Sequence, residues 1–250
     1  MKIFLSAIDG YTLDELIRRK KSLRWNLLSY YQIRNDISLF KKCLSASELM
    51  EIDSGAHSFQ KGKKVDWEDY TRKYADFIQK YDNPKIIGFF EMDVDNIIGY
   101  ENVLKLRKIL EKISDKIIPV WHKQRGIEEF TRMCQRYSGR IVAITGFANE
   151  DIRDDQYVMF LKEAKKYNCK VHCLGMTRRR ILDKVPFDFT DSATWKLRTT
   201  YGKVEGINDK KIKRGLKVEN GWDKIWAYSY IKGMEMQEYY YQRWKRYCKD

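Results

Sequence analysis

Phe187-Asp188-Phe189-Thr190-Asp191-Ser192 is a short apolar stretch that ends by presenting a carboxylate, and this pattern decides the predicted fold. A second stretch of the same form, Leu49-Met50-Glu51-Ile52-Asp53-Ser54-Gly55-Ala56, presents Asp53. Apolar runs of this length are typical of buried strands. The carboxyl ends of parallel strands lie at one edge of a sheet, so we expect Asp53 and Asp191 to meet across one pocket.

Short apolar runs alternate along the chain with stretches whose apolar residues recur at helical spacing. Strands are predicted near residues 3–7, 49–52, 86–91, 117–121, 141–145, 170–174 and 187–190, with an eighth candidate at Lys224-Ile225-Trp226-Ala227-Tyr228. Leu27 and Leu28 are assigned to the apolar side of the first helix. This alternation predicts repeated βαβ units and a parallel sheet. No Gly-rich dinucleotide turn follows the first strand, so a barrel is favoured over an open sheet. The predicted fold class is α/β, a (β/α)8 TIM-type barrel with some irregularity and no zinc module.

Positive charge is concentrated toward the end of the sequence. The formal net charge is +14, and residues 196–250 hold fourteen Lys and Arg against seven Asp and Glu. We expect residues 1–195 to form the catalytic barrel, and the basic, aromatic-rich segment 196–250 to complete the barrel and contact nucleic acid. A merely solvated basic surface is the alternative.

The cysteines and the hydropathy indicate a cytoplasmic protein. Five cysteines, an odd and scattered set, favour free thiols in a reducing compartment. Cys169 and Cys173 with His172 between them are a weak alternative for a zinc site. No apolar run approaches the ~20 residues of a membrane span, and the N-terminal stretch is too short and too soon acidic for a signal peptide.

Polar residues follow most of the predicted strands. The barrel prediction brings six of them to one rim: Asp53, Asp93, His122, Gly146, Gly175 and Asp191. Several carboxylates in one place repel one another unless a ligand or metal uses them, which favours a functional site. A helix cap is the simpler reading of Asp53 or Asp191 taken alone.

An ordered set of motifs resembles the tRNA-guanine transglycosylases over roughly residues 49 to 195. Asp53-Ser54-Gly55-Ala56 resembles their Asp-Ser-Gly-Gly turn, and Met92-Asp93-Val94 resembles the strand end with their base-recognising aspartate. Three further segments resemble family motifs in the same order: Ile118 to His122, Ile141 to Ala148, and His172 to Asp191. His122 stands where the family has Gln, and the family's Cys-rich zinc module after the nucleophile strand is missing. A short member without zinc is similar to the 7-deazaguanine DNA transglycosylases of phages and bacterial modification islands.

The resemblance implies an exchange of guanine in DNA for a free 7-deazaguanine base, with tRNA as the second choice of polymer. It implies that Asp191 is the nucleophile and that Asp53 is the general acid and base. Substrate-binding roles fall to Asp93, His122, Gly146, Ser54, Gly55 and Gly175. Retention at C1′ fits two carboxylates that act through a covalent sugar ester, without a metal or other cofactor. The incoming base is left open among 7-cyano, 7-aminomethyl and 7-amidino forms, and the oligomeric state is left open as well.

Basic residues near one rim and in the C-terminal segment are the predicted phosphate contacts. They are Arg178, Arg179, Lys210, Lys211, Lys213, Arg214 and Lys217. Two rival functions stay open. One is a metal-dependent nuclease or phosphoryl-transfer enzyme, with Glu91, Asp93 and Asp95 as Mg²⁺ ligands on one face of a strand. The other is a non-enzymatic nucleic-acid-binding protein.

Overall fold

The computed structural model describes residues 1–59, 65–145, 152–201 and 210–248, with only the backbone described for His57 and residues 210–224. Within these ranges nine parallel strands form one sheet. They are β1 (Lys2–Ser6), β2 (Leu23–Ser29), β3 (Ser47–Asp53), β4 (Ile86–Phe90), β5 (Ile117–Ile118), β6 (Val120–Trp121), β7 (Ile141–Thr145), β8 (Lys170–Leu174) and β9 (Phe189–Ser192).

The sheet is nearly closed into a barrel. Its strand order is β5-β4-β3-β2-β1-β9-β8-β7-β6, and every pairing between neighbours is parallel. The two end strands, β5 and β6, are consecutive segments separated only by Pro119. The ends of the sheet therefore meet at one point of the chain, an arrangement consistent with a TIM-like barrel.

Pro119 interrupts the strand because proline has no backbone N–H to donate to the ladder. Its carbonyl still accepts from the Ala143 N–H at 2.9 Å. On the other side, the Glu91 N–H donates to the Ile118 carbonyl at 3.1 Å, and the Glu91 carboxylate accepts from the Val120 N–H at 2.6 Å. Glu91 thus connects β4 to both segments. We call this junction around Pro119 the seam.

Helices cover the outside of the sheet. They are α1 (Gly10–Arg18), α2 (Tyr30–Ile33), α3 (Ile37–Ala46), α4 (Trp67–Tyr81), α5 (Asp95–Ile98), α6 (Tyr100–Glu111), α7 (Gly126–Arg136), α8 (Tyr157–Lys166), α9 (Arg179–Leu182), α10 (Thr194–Thr200) and α11 (Lys210–Trp244), with 3-10 turns at Ala56–Phe59 and Lys123–Arg125. Three helices begin after an Asp whose carboxylate accepts from a first-turn N–H: Asp9, Asp36 and Asp66.

The apolar residues separate into a barrel interior and two outer layers. Large side chains from the strands, among them Phe4, Trp25, Phe90 and Phe189, fill the interior. The outward faces of the strands pack against the helices in two further clusters. Layers inside and outside a parallel sheet are the expected result of burying both of its faces.

Two elements correct the sequence prediction. Leu27 and Leu28 belong to β2, which was not predicted, and not to the first helix. Lys224–Tyr228 is not a strand, because these residues lie within the 35-residue helix α11. The described part of the segment 196–250 adds helices to the outside of the barrel and contributes no strand.

Within the described ranges, no helix combines the length and the apolar character needed to cross a membrane.

Candidate active site

A cavity of about 640 Å³ opens at the carboxyl ends of the strands. Its lining comes from all parts of the sheet: Ser6, Ala7, Leu27, Ser29, Gln32, Asp53, Phe90, Asp93, Val120, His122, Thr145, Leu174, Gly175 and Asp191. Five residues predicted for the site therefore surround one space, namely Asp53, Asp93, His122, Gly175 and Asp191. Three of them are carboxylates, carried by β3, by the loop after β4 and by β9.

Asp191 is held by one of its two carboxylate oxygens. The Gly175 N–H donates to Oδ1 at 2.6 Å, and His172 Nε2 lies 3.3 Å from the same oxygen. Gly175 has φ of +63°, a conformation that glycine adopts without strain and that directs its N–H at the carboxylate. Both hydrogen bonds described for Asp191 fall on Oδ1, so Oδ2 is the oxygen available for chemistry.

His172 and Glu51 lie beneath Asp191 in the barrel interior, and both side chains are completely buried. His172 Nδ1 lies 3.0 Å from Glu51 Oε2 and 3.2 Å from Oε1. Burial lowers the pKa of His172, but the two neighbouring carboxylates outweigh burial and raise it to about 9. His172 is therefore an imidazolium at neutral pH that connects Glu51 to Asp191.

Asp53 ends β3 and turns toward the cavity. Its Oδ2 accepts from the Gly55 N–H at 3.0 Å. Gly55 has φ of +76°, and a Cβ there would lie 2.4 Å from Tyr31 Cβ, so only glycine fits. Ser54 is fully buried and does not line the cavity, and its carbonyl accepts from the Tyr70 hydroxyl. Ser54 and Gly55 thus support the turn that presents Asp53.

Asp93 and His122, which follow β4 and β6, meet through a short hydrogen bond from His122 Nε2 to Asp93 Oδ1. Asp95 Oδ1 lies 3.7 Å from the same nitrogen, and Asp95 Oδ2 accepts from Arg125 Nη2 at 2.7 Å. Ligand atoms of Asp93, Asp95 and His122 all lie within 4.8 Å of one another, a spacing that suits a metal ion.

Glu91 does not join this group, which corrects the predicted ligand set Glu91, Asp93 and Asp95. β4 ends at Phe90 and Asp95 begins α5, so the three acidic residues do not alternate along one strand. The Glu91 carboxylate is fully buried and faces Arg107, with contacts of 2.5 and 2.9 Å.

Several predicted nucleic-acid contacts lie away from the cavity or outside the described part. Arg178 donates to Asp154 and to the Tyr157 hydroxyl, and Arg179 lines a separate groove along α11. Gly146 lies outside the described residues. The same holds for the side chains of Lys210, Lys211, Lys213, Arg214 and Lys217, whose backbone is in α11.

The cysteines are free thiols, as predicted. Cys169 and Cys173 belong to the outer apolar layer, whereas His172 between them points into the barrel. Alternate positions of β8 face opposite ways, so the two cysteines and His172 do not converge on a metal.

Sequence reasoning missed Glu51, His172, Ser29 and Gln32. Glu51 and His172 each interrupt an apolar strand, and in a barrel that signal marks an inward polar residue. Ser29 ends β2, the strand that was not predicted, and Gln32 lies in α2 directly after it. Ser29 lines the cavity, and its hydroxyl oxygen is buried beside Gly55 without a hydrogen-bond partner in the described part of the chain.

Comparisons of the chain with protein-family models, with curated proteins and with solved structures find no match in any of the three.

Proposed function

We propose that the protein is a transglycosylase that exchanges guanine in DNA for a 7-deazaguanine base through a covalent aspartyl-sugar intermediate. The observation that carries the proposal is the convergence of Asp53, Asp93 and Asp191 on one cavity. The segments on either side of Pro119 count as one strand of a (β/α)8 barrel, and this cavity then lies at the face where such barrels bind substrates. The free thiols fit a cytoplasmic enzyme.

Asp191 is the proposed nucleophile. Oδ2 attacks C1′ of the target nucleotide while the C1′–N9 bond to guanine breaks and its electron pair leaves with the base. The hydrogen bond from Gly175 fixes the orientation of the carboxylate, so the attacking oxygen is in place before the substrate enters.

Asp53 is the proposed general acid and base. It gives a proton to the departing guanine, and later takes the N9 proton of the incoming 7-deazaguanine. The nitrogen of the incoming base then attacks C1′, the ester bond breaks, and the Asp191 carboxylate is restored. Two inversions retain the configuration at the sugar.

Asp93, oriented by His122, is the proposed acceptor for the N–H edge that guanine and 7-deazaguanine share. A cavity of about 640 Å³ lies within the range of sites for small ligands, so it has room for a nucleobase with its sugar. From the resemblance we also assign the backbone near Gly146 to the carbonyl or the 7-substituent of the base.

DNA is the proposed polymer because the net charge of +14 favours a polyanion. A target base in a duplex has to leave the stack to reach the cavity, at a cost of a few kcal/mol, which favours single-stranded or distorted DNA. tRNA is the second choice.

A metal-dependent phosphoryl-transfer enzyme is the second candidate function. The clustering of Asp93, Asp95 and His122 favours it, whereas the engagement of Asp95 by Arg125 occupies one of the oxygens that a metal would use. Addition of a chelator separates the two candidates, because base exchange by Asp191 needs no metal.

The test is incubation of DNA or tRNA carrying labelled guanine with each candidate 7-deazaguanine, followed by nucleoside mass spectrometry. Release of label together with a modified nucleoside supports the proposal. Asp191→Asn should abolish exchange. Asp188→Asn is the matched control, because its half-buried carboxylate lies three residues earlier and accepts from the Val171 N–H outside the cavity. Full retention of label on both polymers would refute the assignment.

A further inference from the structure

We infer that Glu51 and His172 are positioning residues. They hold one carboxylate oxygen of Asp191 in place, and together they leave the negative charge of Asp191 uncancelled where it faces the sugar. The inference rests on the proposed function and deepens it. Glu51, His172 and Asp191, here called the buried trio, come from β3, β8 and β9 and meet inside the barrel. None of these positions is adjacent to another in sequence, so the barrel itself assembles the trio.

The geometry gives each member one role. His172 uses Nε2 toward Asp191 Oδ1 at 3.3 Å and Nδ1 toward Glu51 Oε1 at 3.2 Å. A ring with an acceptor at both nitrogens donates from both only as an imidazolium. The raised pKa of His172 agrees with that form. Burial raises the pKa of Glu51, and the imidazolium beside it acts in the opposite direction and favours the carboxylate. Glu51 therefore fixes the ring, and the ring fixes Asp191.

The surroundings of the imidazole exclude other partners in the described part of the chain. Phe4, Phe90 and Phe189 surround the ring, with centroid distances of 6.3, 5.0 and 6.4 Å. Phe90 also lines the cavity, so the apolar wall of the site is continuous with this surround. The only titratable groups facing His172 from these strands are the two carboxylates.

The charges of the trio suit a transition state with positive charge on the sugar. Two carboxylates and one imidazolium carry a net charge of −1. Without Glu51, the imidazolium would cancel the charge of Asp191, and no net negative charge would face the developing oxocarbenium ion. Ester formation consumes the charge of Asp191 and leaves Glu51 and His172 as a neutral pair. Glu51 thus balances the positive charge of His172, so that the site keeps the negative charge of Asp191.

The first experiment is independent of any activity. The full-length protein is labelled with ¹⁵N-histidine and titrated by NMR from about pH 6 to about pH 10, with His172 assigned from its absence in His172→Asn. We expect an imidazolium that titrates near pH 9, with a lower pKa in both Glu51→Gln and Asp191→Asn. A neutral His172 at pH 7, or a pKa that neither variant changes, would overturn the inference.

The second experiment measures base exchange. We expect Glu51→Gln and His172→Asn to lower kcat by about 10- to 100-fold, the range for buried partners that orient a reactive group, with KM for DNA unchanged. The wild-type rate should fall above about pH 9, as His172 loses its proton, and Glu51→Gln should move that decline to lower pH. The double variant Glu51→Gln/His172→Asn removes both buried charges and should match the single variants, because the residues act as one unit.

Val171→Ala is the matched control, since it shortens a buried side chain of the same strand that faces the outer layer. It should leave the rate and its pH profile unchanged. Folded Glu51→Gln, His172→Asn and double variants with full rate and an unshifted pH profile would overturn the inference while leaving the transglycosylase proposal intact. Absence of exchange in the wild type, together with the expected NMR result, would refute the proposed function instead.

Discussion

Removal of the Glu91 charge should destabilise the barrel at its seam. The guanidinium of Arg107 contacts both oxygens of Glu91, and the two side chains are 3% and 1% exposed. Loss of one partner from a buried pair of this kind costs about 3–5 kcal/mol, because the other charge stays buried without compensation. For a chain of this size, each kcal/mol lowers the melting temperature by about 2–4 °C, so Glu91→Gln should melt roughly 10 °C below the wild type.

The single variants Glu91→Gln and Arg107→Met should differ in how much stability they lose. A guanidinium keeps its proton, whereas a buried carboxylate can take one up, so Glu91→Gln should cost more than Arg107→Met. The double variant Glu91→Gln/Arg107→Met removes both charges and should recover much of the loss, which gives a favourable coupling of about 2–3 kcal/mol in a double-mutant cycle.

Urea denaturation followed by circular dichroism measures these free energies of unfolding. Lys73→Gln is the control, because its pair with Asp69 is exposed and should contribute less than about 1 kcal/mol. A Glu91→Gln variant within about 1 kcal/mol of the wild type would refute the role of this pair at the seam. Asp93 lies two residues beyond Glu91, so base exchange should also weaken in this variant at temperatures where it remains folded.

Further outcomes follow from the site. Gly55→Ala should lose at least about 1 kcal/mol more stability than Gly139→Ala in the same denaturation assay. Both glycines have φ of +76°, but only a Cβ at Gly55 would meet a neighbouring atom. Equal losses of stability would contradict the close contact between Gly55 and Tyr31. Asp191→Asn should lower the rate of base exchange at least about a thousandfold in the nucleoside assay. Its affinity for DNA, measured by fluorescence anisotropy, should stay within about threefold of the wild type. Retained base exchange would exclude Asp191 as the nucleophile. EDTA should leave the exchange rate within about twofold; a large loss would favour the metal-dependent function.

The carboxyl ends of the strands were the most predictable part of the molecule. Asp53, Asp93, His122, Gly175 and Asp191 surround one cavity because parallel strands direct their carboxyl ends to one edge. That inference needs only the number and direction of the strands, and not their register. The prediction therefore survived the errors in individual elements.

Those errors have a common physical cause. In Leu23-Arg24-Trp25-Asn26-Leu27-Leu28, a period of two and a helical period fit equally well over six residues, and β2 was missed. Lys224–Tyr228 has the composition of a strand, but the buried positions Tyr230, Gln237 and Tyr240 follow a helical spacing that becomes visible only over the whole of α11. Over such short segments the local pattern does not distinguish a strand from a helix, and tertiary packing decides between them.

The partners of buried charges were not predictable. Glu91 reads as one of three alternating acidic residues until the fold places Arg107 beside it, 16 positions later. Glu51 and His172 are 121 positions apart, and no spacing rule joins them. Pairing of this kind depends on which strands become neighbours, which a single sequence specifies only through the complete fold.

The long helix α11 ties together parts of the chain made at very different times. Gln237 Nε2 donates to the carbonyls of Ile3 and Trp25, at 2.7 and 2.9 Å, across more than 200 positions. The Tyr230 hydroxyl reaches Asn26 in the same way, and Gly233 allows the helix to approach Leu5. During synthesis on the ribosome, the parts of β1 and β2 that α11 covers therefore stay exposed until residues near 240 emerge. A nascent chain in this state exposes apolar strands for seconds, so we expect its yield in the cell to depend on chaperones more than its final stability suggests.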